Sequence, residues 1–145
     1  MPELTVRVVD LADSRELRRS VLRPEFAPGS MLPGEDQAGT ICVAALAGSN
    51  LVSACLIFPE SCRWQPDRPA WRLRSMATHP DFRGTGAGAA ALGGATGQAR
   101  ARGAELLWCE ARQPAVGFYL RHGWQLWGEP FENSHGPHRF MWVEL

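Results

Sequence analysis

Arg83-Gly84-Thr85-Gly86-Ala87-Gly88 is the stretch whose residue types and spacing suit a phosphate. Three glycines at alternate positions let a backbone take positive φ and come close to a ligand. A strand-like run, Trp71 to Thr78, precedes the loop, and a helical run follows it to about Arg102. The free N–H groups and the positive dipole end of that helix then face the same spot. A phosphate-bearing cofactor is the natural guest. A flexible linker is the bland alternative, and the tight bracketing by strand and helix speaks against it.

Two rival phosphate motifs fail on the same residues. Gly86-Ala87-Gly88-Ala89-Ala90-Ala91 fits G-x-G-x-x-G/A, with Glu110 as an acidic residue downstream. A dinucleotide fold needs its glycines directly after the strand, whereas His79-Pro80-Asp81-Phe82-Arg83 intervenes here. The remaining length is also short for the second half of such a sheet. A triphosphatase loop needs a lysine, and all fifteen basic residues are arginine.

The elements that must position this loop fit one domain, 1–145, large enough for a proper core. Fifteen acidic residues bring the formal net charge to zero. That removes any general pull toward nucleic acid or an anionic membrane, so no nucleic-acid or membrane partner is expected and a phosphate site must be local. No stretch approaches the roughly 20 apolar residues of a membrane span. No basic-apolar-small succession opens the chain, so the expected setting is cytoplasmic. Cys42, Cys55, Cys62 and Cys109 have no C-x-x-C spacing. Buried free thiols are expected, with no metal site and no disulfide.

Leu4 to Val9 reads as a first strand, and Asp13-Ser14-Arg15-Glu16 opens a helix with Leu17, Val21 and Leu22 on one face, ending before Pro24. Residues 23–38 are irregular, and so are 61–70; such loops wall a cleft or cover a sheet edge. Thr40 to Ala47 and Leu51 to Phe58 form a hairpin around Gly48-Ser49-Asn50. The helix after the glycine loop stops at Gly103, and its small residues, Gly93 and Gly94 among them, predict very close packing on the sheet. Glu105 to Arg112 is a strand, Pro114 opens a helix that ends at Gly123, and Trp124 to Phe131 and Arg139 to Leu145 are the last two strands. The order β-α-β-β-β-α-β-α-β-β predicts an α/β domain on a mixed sheet.

These residues resemble the GNAT acetyltransferase superfamily. Its coenzyme A signature, Arg or Gln, two residues, Gly, one residue, then Gly or Ala, is met by Arg83 to Gly88. Met76-Ala77-Thr78-His79-Pro80-Asp81-Phe82 looks like the family's passage from strand to helix. Ala115-Val116-Gly117-Phe118-Tyr119-Leu120-Arg121-His122-Gly123-Trp124 matches its A-x-x-FY-x-x-x-G-aromatic helix. The tail around Gly128-Glu129-Pro130 and Gly136-Pro137-His138 suggests the small ElaA-like branch. One departure is plain: the asparagine that many relatives carry before the tyrosine helix is absent from Glu110-Ala111-Arg112-Gln113-Pro114.

The resemblance implies a GNAT-like mixed central sheet of about seven strands with flanking helices, splayed between the fourth and fifth strands. It implies acetyl-CoA as acyl donor, with its pyrophosphate on Arg83, Gly84, Thr85, Gly86, Ala87 and Gly88 and its pantetheine along Met76, Ala77 and Thr78. The N–H near Met76 is the expected oxyanion donor. An amine acceptor, a small molecule or a peptide, must lose a proton, and Glu110 is the candidate base, with a salt bridge to an arginine as its equal alternative. His138, read as a loop residue, is the second candidate, orienting substrate more than catalysing. Tyr119, the only tyrosine, is the candidate acid for the departing thiolate. Trp64 is a candidate wall of the acceptor site, while His79, His122 and His135 read as surface or turn residues. Direct transfer in a ternary complex follows from the lack of a nucleophile triad. A non-catalytic acyl-CoA-binding module and an enzyme for longer acyl chains are the alternatives, and a homodimer is common in the family.

Overall fold

Successive apolar residues in the runs around Val43 and Leu56 leave neither strand face suited to water, which places both runs inside a sheet covered on both sides. The computed structural model of the protein describes residues 3–145 and has that arrangement. Its elements are β1 (Leu4–Val9), α1 (Leu11–Leu22), β2 (Ile41–Ala47), β3 (Asn50–Pro59), β4 (Ala70–Thr78), α2 (Ala87–Ala101), β5 (Leu106–Arg112), α3 (Val116–Arg121), β6 (Gln125–Asn133) and β7 (Gly136–Glu144). They follow the expected order. The seven strands form one sheet in the order β1-β2-β3-β4-β5-β7-β6. Neighbours are antiparallel except β4 and β5, which run parallel. Among the described residues no helix is long and apolar enough to cross a membrane.

One face of the sheet carries α2 and α3. Ala87, Ala91, Ala95 and Ala99, spaced four apart, are fully buried along α2. Their small size brings the helix axis close to β1, β2 and β3. Gly94 sits at the tightest point: a Cβ there would clash with Val6 Cγ1 and lie 2.8 Å from Val43 Cγ1. Gly93 corrects the sequence expectation, because it points outward and a Cβ would meet nothing within 4 Å. The two neighbours should therefore respond with opposite signs. Gly93→Ala is expected to stabilise by up to about 1 kcal/mol through helix propensity, and Gly94→Ala to destabilise by about 1–3 kcal/mol through overpacking. Urea midpoints of the two variants check this.

The other face carries α1, and here the sequence reading needs a second correction. The helix starts at Leu11, and its fully buried residues are Ser14 and Arg18. Leu17, Val21 and Leu22 are only half-buried. The cause lies in the 23–38 segment, which folds a carboxylate, Glu35, under the helix. Glu35 Oε2 lies 3.3 Å from Arg18 Nη2, and its Oε1 takes Arg15 Nη2 at 2.5 Å. Arg18 also donates to Ser14 Oγ and to the Leu11 carbonyl, so a charged stripe is sealed where an apolar one was expected.

At the far edge, β6 and β7 pair as a hairpin whose turn is only Ser134-His135, shorter than the loop the sequence suggested. Asn133 Oδ1 accepts from the His135 N–H at 2.8 Å, an Asx turn, and Gly136 takes a φ of +97°. All four cysteines are free and buried, and burial raises the pKa of each thiol.

Candidate active site

Strands β4 and β5 pair over three residues only: Ala70 with Leu106, Trp71 with Leu107 and Arg72 with Trp108. Beyond them the two part, while each stays hydrogen-bonded on its outer side, to β3 and to β7. Their inner edges thus face each other across a cleft of about 190 Å³, with main-chain groups that no neighbouring strand takes up.

A bulge in β4 lies on the cleft wall. Leu56 pairs with Arg74 and Ala54 with Ala77, so Ser75 and Met76 together oppose Cys55 and fall outside the ladder. Ser75 has a φ of +59°, the one positive value at a non-glycine position among the described residues. A serine in the left-handed region is strained and must be held. Arg18 Nη1 donates to Ser75 Oγ at 3.4 Å, so the buried charge cluster under α1 reaches the strained residue directly.

At the C-terminal end of β4 the glycine loop makes the turn into α2. Gly84 and Gly86 have φ of +76° and +92°, and Gly86 is the N-cap. No side chain caps this helix end and no acidic residue lies in its first turn. A Cβ on Gly84 or Gly86 would meet nothing within 4 Å, so the turn is open on that side. Thr85 is tied back to the Phe82 carbonyl, Ala87 is buried beneath the turn, and Arg83 is exposed. Gly88 serves a different purpose: a Cβ there would lie 3.1 Å from Thr78 Oγ1 and 3.3 Å from Phe118 Cε1. It lets α2 sit against the end of β4 and the tyrosine helix.

Tyr119 lines the cleft although only 4 % of it is exposed. Burial, with the neighbouring Cys109 and Cys55, lifts its phenol pKa well above the ordinary value of 10. Glu110 also lines the cleft, and Arg72 Nη2 holds its Oε2. Arg72 takes Glu60 Oε2 at 3.1 Å as well and lies 4.8 Å above the Trp108 ring. His138 is a correction in place: it belongs to β7, opposite Arg112, and is 5 % exposed. Its Nδ1 lies 2.8 Å from the Gly136 carbonyl, which can only accept, so Nδ1 is the donor in that contact and Nε2 is the ring nitrogen not used in it. His135, read as a turn residue, borders the same cleft. Trp64 does not. It stacks on Trp127 at 4.6 Å and packs edge-on to Trp108, in an aromatic group beyond the far side of β5 from the split.

A family model for the acetyltransferase (GNAT) family matches residues 10–124. The chain belongs to the GNAT family. It is 31% identical over 130 residues to the uncharacterized N-acetyltransferase YitI of Bacillus subtilis strain 168, covering 89% of this chain and 87% of YitI. Among solved structures it is similar to ElaA of Escherichia coli, with a TM-score of 0.75 at 18% identity, covering 99% of this chain and 100% of ElaA. It is also similar to an aminoglycoside 6'-N-acetyltransferase complexed with coenzyme A, with a TM-score of 0.78 at 15% identity, covering 97% of this chain and 96% of that one. These likenesses show the GNAT fold, split parallel pair included.

Within this GNAT chain the structure brings Met76, Glu110, Tyr119 and His138 to one cleft and sets the glycine loop at the end of the same strand. The sequence reading missed the Ser14-Arg18-Glu35 cluster behind it and the arginines Arg23, Arg74 and Arg112 on its walls. Arg18 and Ser14 stand four apart on a helix, a spacing that would have marked one polar face had the half-buried leucines not drawn the assignment.

Proposed function

We propose that this chain is an N-acetyltransferase that moves an acetyl group from acetyl-CoA to an amine by direct transfer in a ternary complex. The observation that carries the reading is the split between β4 and β5, with a glycine-capped helix at one end and a buried tyrosine inside. The residues present fit the donor: no atoms within 4 Å of a Cβ placed on Gly84 or Gly86, a helix terminus that no side chain caps, and a β4 edge along Leu73 to Thr78 that is unpaired on its β5 side.

In this reading the N–H groups of Gly84 to Gly88 hold the pyrophosphate, Thr85 and Ala87 keep the turn shaped, and Arg83 adds a charge-assisted bond. Main-chain groups of Met76, Ala77 and Thr78 hold the pantetheine amides as an added strand would. When bound, acetyl-CoA supplies the activated acyl group and a thiolate as leaving group. The Met76 N–H is offered to the acyl oxygen as it gains negative charge, a contribution of roughly 3 kcal/mol. Glu110, whose Oε1 is free of the Arg72 bond, accepts the amine proton directly or through water, and His138 Nε2 orients the acceptor. Tyr119 stays protonated and donates to the sulfur. In such a site the nucleophile is the acceptor amine itself.

Thiol release from acetyl-CoA across a panel of amines tests the proposal. Turnover with at least one amine is expected, and binding of acetyl-CoA without turnover on any acceptor would make the chain a binding module. Gly86→Val, which forces a branched side chain to a φ of +92°, is expected to raise the KM for acetyl-CoA roughly tenfold or more. An unchanged KM removes the loop from donor binding.

A further inference from the structure

The walls of the cleft carry more cations than the protein neutralises. Arg72 and Arg74 reach it from β4, Arg112 from β5 and Arg23 from the end of α1, against a single lining carboxylate, Glu110. Glu110 and Glu60 are both engaged by Arg72. Arg74 has no ion-pair or side-chain hydrogen-bond partner among the described residues, and Asp36, Glu60 and Glu110 act on it only from beyond ion-pair distance. Burial, and next the charge of Arg72, pull its guanidinium pKa down from the usual value.

Arg23 and Arg112 form a second group. Arg23 Nη1 and Arg112 Nη2 donate to the same acceptor, the Leu22 carbonyl, at 2.9 and 3.2 Å. Two guanidinium groups thus converge on one neutral oxygen with no carboxylate between them. Arg23 Nε is buried without any partner, a state that native proteins seldom leave unanswered. Like charges gathered in a partly buried cleft repel one another, and the formal neutrality of the whole chain makes this excess local. Planar guanidinium forks match carboxylate and phosphate oxygens two at a time.

The geometry points to an acceptor that carries an anionic oxygen group, a carboxylate or a phosphate, beside its amine, with Arg74 and the Arg23–Arg112 pair as the residues that hold it. The inference rests on the acetyl-transfer reading for the role of the amine and stands on the arginines for the anion. The glycine loop at the end of β4 already answers the donor's phosphates, which leaves these three arginines for the acceptor.

Matched amine pairs test it: 4-aminobutyrate against 4-aminobutyramide, and phosphoethanolamine against ethanolamine. Each pair is measured by thiol release from acetyl-CoA and, independently of turnover, by calorimetric titration of the protein. In at least one pair the anionic member is expected to show kcat/KM and affinity about tenfold or more above its neutral twin. The pair that shows the preference distinguishes carboxylate from phosphate. In Arg74→Gln and in Arg112→Gln that ratio is expected to fall toward one, and Arg74→Lys to restore part of it. Equal or better use and binding of the neutral twins in both pairs overturns the inference. So do arginine variants that raise the KM for acetyl-CoA and leave the ratio intact. Failure of every amine to release thiol would remove the acetyl-transfer reading, and the calorimetric ratio would then decide the anion site alone.

Discussion

Replacing Tyr119 by phenylalanine is expected to lower kcat by about 10²-fold or more, the range of a lost general acid, with the KM for acetyl-CoA changed far less. The phenylalanine fills the same volume beside Phe118 and Trp124, which pack on the ring at 5.3 and 5.0 Å. Packing is therefore kept and only the hydroxyl is removed. A phenol whose pKa burial holds well above 10 remains a donor throughout the neutral and mildly alkaline range. The wild-type rate should accordingly show no falling limb from Tyr119 below about pH 10. Steady-state kinetics on both proteins across pH decide the matter, and an unchanged kcat would leave Tyr119 as a core aromatic.

The second large effect concerns stability. Glu35→Gln is expected to lower the unfolding free energy by about 3–5 kcal/mol, because Arg18 would keep its charge in a fully buried place without a counter-charge. Arg15, partly exposed, can turn to water and takes little part in that loss. Replacing both members of the buried pair, Arg18→Met with Glu35→Leu, is expected to cost less than Glu35→Gln alone, since no unpaired charge is left. Denaturant titration of the single and double variants checks the order. A pH dependence follows with a definite sign. Burial pushes the Glu35 pKa up, but the Arg15 bond, the Leu32 N–H and the charges of Arg18 and Arg15 together bring it below the ordinary carboxylate value of 4.5. The unfolded chain then binds the proton more readily than the folded one. The stabilisation is complete above about pH 4.5 and is lost as pH falls through the lower folded-state pKa. In Glu35→Gln that part of the acid sensitivity should vanish.

Most of the fold was legible because its signals are local. The proline after α1, the glycines after α2 and α3, the alternation of Arg72 and Arg74 with Leu73, and the two apolar central runs each depend on near neighbours in sequence. The glycine loop and the tyrosine helix were legible for the same reason. What escaped depends on distant partners. Arg18 is buried only because Glu35 comes back under α1, and periodicity within the helix carries no trace of a carboxylate seventeen residues on. The strain at Ser75 was equally hidden, since serine is an ordinary strand residue until a bulge opposes it and Met76 to one partner. Trp64 looked like a wall of the acceptor site because its loop was read without the β6–β7 hairpin on which it stacks. The turn composition of Asn133 to Pro137 points to a loop beside His138, whereas two residues suffice for the turn.

The four sealed sulfurs have a practical side. A thiol-reactive dye added to the folded protein finds no cysteine side chain at the surface, so in the proposed acetyl transfer any colour that develops during turnover would come from released coenzyme A. Each cysteine becomes visible only when its own surroundings open. Cys42 lies 3.1 Å from Ser14 Oγ under α1, Cys109 lies beside Tyr119 in the split, and Cys62, within the 61–70 loop, packs with Leu106 and Trp108. The chain thereby carries a built-in labelling clock at three separate places, and the order in which they react traces the order in which the molecule breathes.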